Sequence, residues 1–379
     1  MAGLFALGSN GSGQLGIGHK EDVSVPKPVI FHCEPPSDAI VKVAAGGNHT
    51  IILTESGEAY WSGDSSKGAC GITTISTADN AQFEELVLSE TEALGPIALV
   101  ACTWESSTFV VKDDNGRATK VYSCGIGEHG QLGFEAKGIV EPKLVPNFPP
   151  PETEVVRLAA GLAHVVAVLS NGEVCGWGNG RKGQLGQLVA LNDGTSPVPV
   201  VHLAPHQIGH VSGVDFQVVD VVCGQYSTAL IGNPEQGKMV VLGADKWGLK
   251  SNALSALPDW TLISGSWGSI YVLKSDGTLS AWGRNDHGQL PPPEIPKLKH
   301  IQAGSEHVLA ITENEEAITW GWGEHGNCGP QTEGKSGDVK GRWNVIASSS
   351  NLPEGSRITT IGAGCATSWI YVQAEGIHL

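Results

Sequence analysis

Residues 158–186 read LAAGLAHVVAVLSNGEVCGWGNGRKGQLG. An apolar run turns at Gly161-Leu-Ala-His164, a second run ends at Ser170-Asn-Gly172, and a third ends at Gly178. Gly and Asn tolerate the positive φ of tight hairpin turns, so the stretch predicts short antiparallel strands. Beyond Gly178 come four variable residues, Gly183, and then Gln184-Leu-Gly186. No helical period of comparable length competes with this reading.

The same two motifs fill the rest of the chain. The strand ending in Gly-x4-Gly recurs with glycine pairs 8/13, 63/68, 125/130, 178/183, 243/248, 283/288 and 321/326, and the spacing never slips. The Gly-x-x-His turn between apolar runs occurs at 43–53, 100–111, 158–169, 221–231, 262–273, 301–311 and 361–372. Its last position holds His49, His164 and His307, and elsewhere Ser106, Ser227, Gly268 and Thr367. Seven copies of each motif give seven units. One such unit cannot bury both its faces, so the units must stack. The expectation is an all-β chain forming one seven-bladed β-propeller over residues 1–379. Because the chain opens on the first motif and ends on the second, strands from both termini should complete one blade and close the ring. Polar, Pro- and Ser-containing insertions near 71–99, 187–218 and 331–357 read as surface loops. In a hairpin the start of one strand and the end of the next share an edge, so both motifs should project from one face.

Composition narrows the function. The net charge is −16, with cations scattered, so the chain alone repels phosphate backbones and anionic membranes. Eight cysteines without a CxxC pair read as reduced and mostly buried. An apolar strand already begins at Gly3 and no apolar run reaches membrane-spanning length. The expected location is the cytoplasm, with nuclear access.

The units resemble those of the regulator of chromosome condensation family, whose pattern is close to WG-x4-GQLG followed by V-x-x-G-x-x-H-x-x-AL. That family includes exchange factors, ubiquitin-ligase modules and adaptors, so the fold does not by itself fix function. The final unit, Trp320-Gly-Trp-Gly-Glu-His-Gly-Asn-Cys-Gly-Pro330 followed by Gly364-Cys-Ala-Thr-Ser-Trp369, is more specific, as are Gly8-Ser-Asn-Gly and Gly46-Gly-Asn-His49. It resembles a subgroup, the fungal killer-toxin-insensitivity (α-tubulin suppressor) propellers. The resemblance implies a non-catalytic adaptor for a small CSL-type zinc- or iron-binding protein, with which it would form a heterodimer. It also implies support for diphthamide formation on elongation factor two and for Elongator-dependent wobble-uridine modification of tRNA. The alternative is a guanine-nucleotide exchange factor for a Ran-like GTPase.

Places where the repeat breaks are the candidate partner-binding residues. In the turns these are Asn48, His49, Trp104, Glu105, Tyr226, Trp267, Glu306 and His307. In the last unit they are Trp322, Glu324, His325, Asn327 and Trp369. Aromatics and acids on one face have the composition of a recognition surface. The repeated histidines also fit a hydrogen bond between neighbouring blades, and Trp177, Trp282 and Trp320 read as core. Trp104, Trp267 and Trp322, in turns, fit either wedging between blades or recognition. No catalytic motif occurs: there is no Gly-x-Ser-x-Gly elbow, Walker loop or HExxH. Glu128-His129, Asp286-His287 and Glu324-His325 are adjacent residues that point oppositely on an extended chain. No metal site and no cofactor are expected.

Overall fold

The motif glycine of each unit stands directly opposite the last residue of that unit's turn. The register pairs are Gly8 with Thr367, Gly63 with His49, Gly125 with Ser106, Gly178 with His164, Gly243 with Ser227, Gly283 with Ser269, and Gly321 with His307. These seven glycines have φ between 101° and 121°. A Cβ at Gly321 would lie 2.7 Å from the Glu306 carbonyl oxygen, and one at Gly63 would lie 2.3 Å from that of Asn48. The next residue's N–H donates to that same carbonyl, as in Trp322 to Glu306 (2.9 Å) and Asp64 to Asn48 (2.8 Å). Glycine recurs because the chain must turn sharply against a carbonyl already in use.

The computed structural model describes residues 3–72, 81–91, 94–186, 200–208, 214–254, 256–330, 337–348, 350–352 and 354–374. The fold is all-β, a seven-bladed β-propeller, each blade an antiparallel sheet. The described residues fall into two compact units.

The first unit carries four blades. One is built from Val23–Pro28, Gly3–Gly8, Thr367–Ala374 and Ser356–Ala363, in that order. Strands from both ends of the chain therefore meet in one sheet, with Leu4 opposite Tyr371. The second is Ile40–Ala45, His49–Thr54, Ala59–Gly63 and Glu84–Glu85. The third, Trp260–Gly265, Ser269–Lys274 and Leu279–Gly283, has three strands. The fourth is Leu298–Ala303, His307–Thr312, Ala317–Gly321 and Val339–Ala347.

The second unit carries three blades. They are Ile97–Cys102 with Ser106–Lys112, Ala118–Ile126 and Ile139–Leu144; Val155–Ala160 with His164–Leu169, Val174–Asn179 and Val201–Gln207; and the three-stranded Asp220–Cys223, Ser227–Ile231 and Met239–Gly243.

Two expectations are corrected here. The stretches at 71–99, 187–218 and 331–357 are not loops throughout, because they contain the outer strands Glu84–Glu85, Val201–Gln207 and Val339–Ala347. Residues 73–80, 92–93, 187–199, 209–213, 331–336, 349 and 353 lie outside the described ones. The turn at 262–273 is also shifted by one. Ser266 N–H bonds the Ser269 carbonyl, as Gly46 N–H bonds that of His49, so Ser269 and not Gly268 holds the last turn position.

Side chains fill the space between neighbouring blades of a unit. His164–Leu169 and His307–Thr312 are buried at every residue, because both faces of these central strands are covered. Trp177 and Trp320 are fully buried. Their indole N–H groups donate to the carbonyls of Gln131 and Gln289, both at 3.0 Å. In both cases the Gly-Gln-Leu loop of one blade, at 130–132 or 288–290, satisfies the indole of the next. Each such ring stabilises the stack by about 2–3 kcal/mol through burial alone.

Candidate functional site

Each hairpin turn is short and closed by one backbone–backbone hydrogen bond, Gly304 N–H to His307 C=O at 2.9 Å being typical. The loop after the motif glycine leaves from the same end of the blade, so both motifs share an edge within every blade. In the first unit, backbone bonds tie neighbouring turns together. Trp267 N–H donates to Ser305 C=O and Ser305 N–H to Gly364 C=O, both at 3.0 Å, while Trp322 N–H meets Glu306 C=O. Trp267 and Trp322 therefore flank the dipeptide Ser305-Glu306.

Glu306 is buried, yet its carboxylate is not alone. It is ion-paired with Arg284 and accepts from Gln289 Nε2 at 2.9 Å. Arg284 also grips Asp286 through both carboxylate oxygens, at 2.7 and 2.8 Å. The guanidinium holds the Asp286 carboxyl well below the usual carboxylate range. Burial pushes the nearby Cys365 thiol up.

The loop of the last blade forms the other half. Trp322 stacks edge-on against His325, with ring centroids 5.4 Å apart. His325 Nδ1 meets Asp22 Oδ2 at 2.7 Å, and the other oxygen of Asp22 accepts from Asn10 N–H, also at 2.7 Å. Asn327 donates to the Trp322 carbonyl at 2.8 Å and fixes the loop from within. In the preceding blade, His287 Nδ1 meets Asp338 at 3.0 Å. The histidines of Asp286-His287 and Glu324-His325 thus each reach a carboxylate from the next blade.

Among the predicted residues, Asn48, Trp104 and Glu324 are exposed, and Glu105, Tyr226, Trp267, Trp322 and His325 are half-buried. His49, Glu306, His307, Asn327 and Trp369 are buried, which corrects their reading as direct contacts. His307 explains why. Ser368 gives its hydroxyl proton to the Asn327 carbonyl (2.9 Å), so His307 must donate to Ser368 through Nε2 (2.9 Å). His164 makes the matching bond to Thr228 at 3.1 Å in the second unit. Burial brings the pKa of His49, His164 and His307 down to about 4. All three imidazoles are therefore neutral structural groups.

The second unit presents a smaller set. Trp104 N–H donates to Leu162 C=O at 3.0 Å, and Glu105 lies 3.8 Å from Lys67. Tyr226 belongs to another blade of that unit, and its carbonyl accepts Ala244 N–H. Sequence reasoning missed Asp22, Arg284 and Gln289, and weighed Asp286 only as half of an acid–His dipeptide. Among the described residues, no three His, Cys, Asp or Glu side chains converge as a metal's ligands would.

The sequence pattern of the RCC1-like domain matches residues 3–370. An RCC1 repeat-containing protein of Schizosaccharomyces pombe is 31% identical, over 98% of this chain and 99% of that protein. The secretion-regulating guanine nucleotide exchange factor of Mus musculus is 27% identical, over 96% of this chain and 82% of that protein. The crystal structure of Prp20p from Saccharomyces cerevisiae superposes with a TM-score of 0.77 at 23% identity, covering 99% and 92% of the two chains.

Proposed function

The chain belongs to the RCC1-like family, and from that premise we propose that it is a non-catalytic adaptor. Its partner is a small CSL-type zinc- or iron-binding protein, held as a heterodimer in the cytoplasm with nuclear access. Through that partner the chain supports diphthamide formation on elongation factor two and Elongator-dependent tRNA wobble-uridine modification. The supporting observation is the last-blade loop. There the repeat breaks into Trp322, Glu324 and His325, with Glu324 exposed, both rings half-buried, and His325 braced on Asp22. An aromatic side chain held at the rim of a rigid loop, beside an exposed carboxylate, suits a protein contact centred on few residues. Co-purification with a CSL-type protein is the test. Trp322→Ala with Glu324→Ala should weaken that complex at least tenfold while leaving the melting temperature unchanged. Recovery of no such protein, or unchanged affinity in the variant, overturns the reading.

A second reading is nucleotide exchange on a Ran-like GTPase. It is favoured by the likeness to a guanine nucleotide exchange factor over 96% of this chain and by the solved fold of Prp20p, which binds Gsp1p and histones. It would act by binding the nucleotide-free GTPase more tightly than the loaded form. Accelerated release of labelled GDP by the purified chain supports it. Release at the uncatalysed rate removes it.

A further inference from the structure

Five blades have a fourth, outer strand, and in the first unit the blade Trp260–Gly265, Ser269–Lys274, Leu279–Gly283 does not. The hairpin register decides which groups this leaves open. Lys274 N–H bonds Thr278 C=O at 2.9 Å, so Ser280 and Trp282 face the central strand through their backbones. Leu279, Ala281 and Gly283 direct N–H and C=O outward. In the next blade the equivalent residues Ala317, Thr319 and Gly321 pair with Ala347, Asn344 and Val339. Among the described residues, no backbone group meets Leu279, Ala281 or Gly283 on that side. All three are half-buried, where an unpaired backbone group is least well hydrated.

The chain's own sequence explains the gap. Residues 290–297 read LPPPEIPK, and prolines have no N–H to supply a ladder. The other three-stranded blade, in the second unit, has a bridge from Lys238 to Ala256 at the start of its edge.

The filled blades show what the open edge takes. Valine faces the motif glycine in three of them: Val23 opposite Gly8, Val140 opposite Gly125, and Val339 opposite Gly321. Two of those strands then carry a proline inside a bulge, Pro26 and Pro142, and Pro205 holds the same place after His202. The bulge lets a residue without an N–H sit in the strand.

We propose that the outer edge of Leu279–Gly283 receives an extended segment of a partner protein as an antiparallel fourth strand, with Val opposite Gly283 and Pro two or three residues later. Main-chain hydrogen bonds supply the affinity, and the Val and Pro positions supply selection. This surface is separate from the turn edge, so the inference stands whatever binds there.

The probe is the synthetic peptide DVSVPKPV, the sequence of residues 22–29, added to the full chain. Saturable binding should slow amide exchange at Leu279, Ala281 and Gly283. Methylating the peptide nitrogen of its first valine should weaken binding at least tenfold, with the protein itself unaltered. Three results overturn the proposal: no saturable binding at millimolar peptide, protection confined to other strands, or equal binding of the methylated peptide.

Discussion

His325 Nδ1 and Asp22 Oδ2 lie 2.7 Å apart across 303 positions of sequence. The contact ties the last blade's loop to the segment that leads into the outer strand Val23–Pro28. Trp322 packs on the same imidazole, so the exposed end of this loop is positioned by a residue near the start of the chain. The same device recurs one blade earlier between His287 and Asp338.

Both partners of the His325–Asp22 pair are more than a third exposed, at 38% and 42%, so their attraction is screened. Asp22→Asn is expected to lower stability by only about 0.5–1 kcal/mol. A double-mutant cycle with His325→Gln in urea should return a coupling of that size, shrinking in 1 M salt. A coupling of zero at low salt would show that the two side chains do not act on each other.

Three glycine-to-alanine substitutions separate steric clash from backbone strain. Gly321→Ala places a Cβ on the Glu306 carbonyl at φ +106 and should cost about 2–4 kcal/mol. Gly116→Ala has φ +77 but open space, and should cost about 1 kcal/mol. Gly11→Ala meets nothing within 4 Å and should stay within about 0.5 kcal/mol of the parent. Denaturant midpoints rank the three. Equal effects at Gly321 and Gly11 would contradict the carbonyl argument.

Acid should destabilise the fold through the buried histidines. Their ordinary value is 6.5, and in the folded chain His49, His164 and His307 sit at about 4. Below pH 6.5 the unfolded chain binds protons that the folded chain refuses. Stability is therefore complete above pH 6.5 and falls as the pH drops toward 4, by about 1.4 kcal/mol per pH unit for each histidine. Urea midpoints between pH 7 and 5.5 should follow that slope, and His307→Gln should remove about one proton from it. A slope unchanged by the substitution would mean His307 is protonated in the folded chain.

The blade number was legible because each motif glycine answers to a carbonyl that recurs in every blade. Outer strands were not. Val201–Gln207 pairs on one edge only and contains a bulge, so neither burial nor alternation marks it as a strand. The shift from Gly268 to Ser269 arose because Gly265 and Ser266 both suit the head of that turn, and only the hydrogen bond chooses between them. His307 and Asn327 stood beside the right turns, yet their bonds to Ser368 lead inward. Arg284 escaped notice because its place after the motif glycine holds Ser9, Asp64, Ile126, Asn179, Ala244 and Trp322 elsewhere, a series with no shared chemistry.

The blade assembled from both chain ends sets the order of events at the ribosome. Gly3–Gly8 is made well before its partner Thr367–Ala374, from which nearly the whole propeller separates it in sequence. At about 5–20 residues per second, the first strand waits roughly 20–70 s for its mate. Throughout that interval Leu4, Ala6 and Leu7, fully or almost fully buried in the finished protein, lack the strand that covers them. Until Thr367–Ala374 leaves the exit tunnel, a newborn copy of this chain therefore holds an apolar strand without its mate, the kind of exposed edge and surface from which aggregation starts.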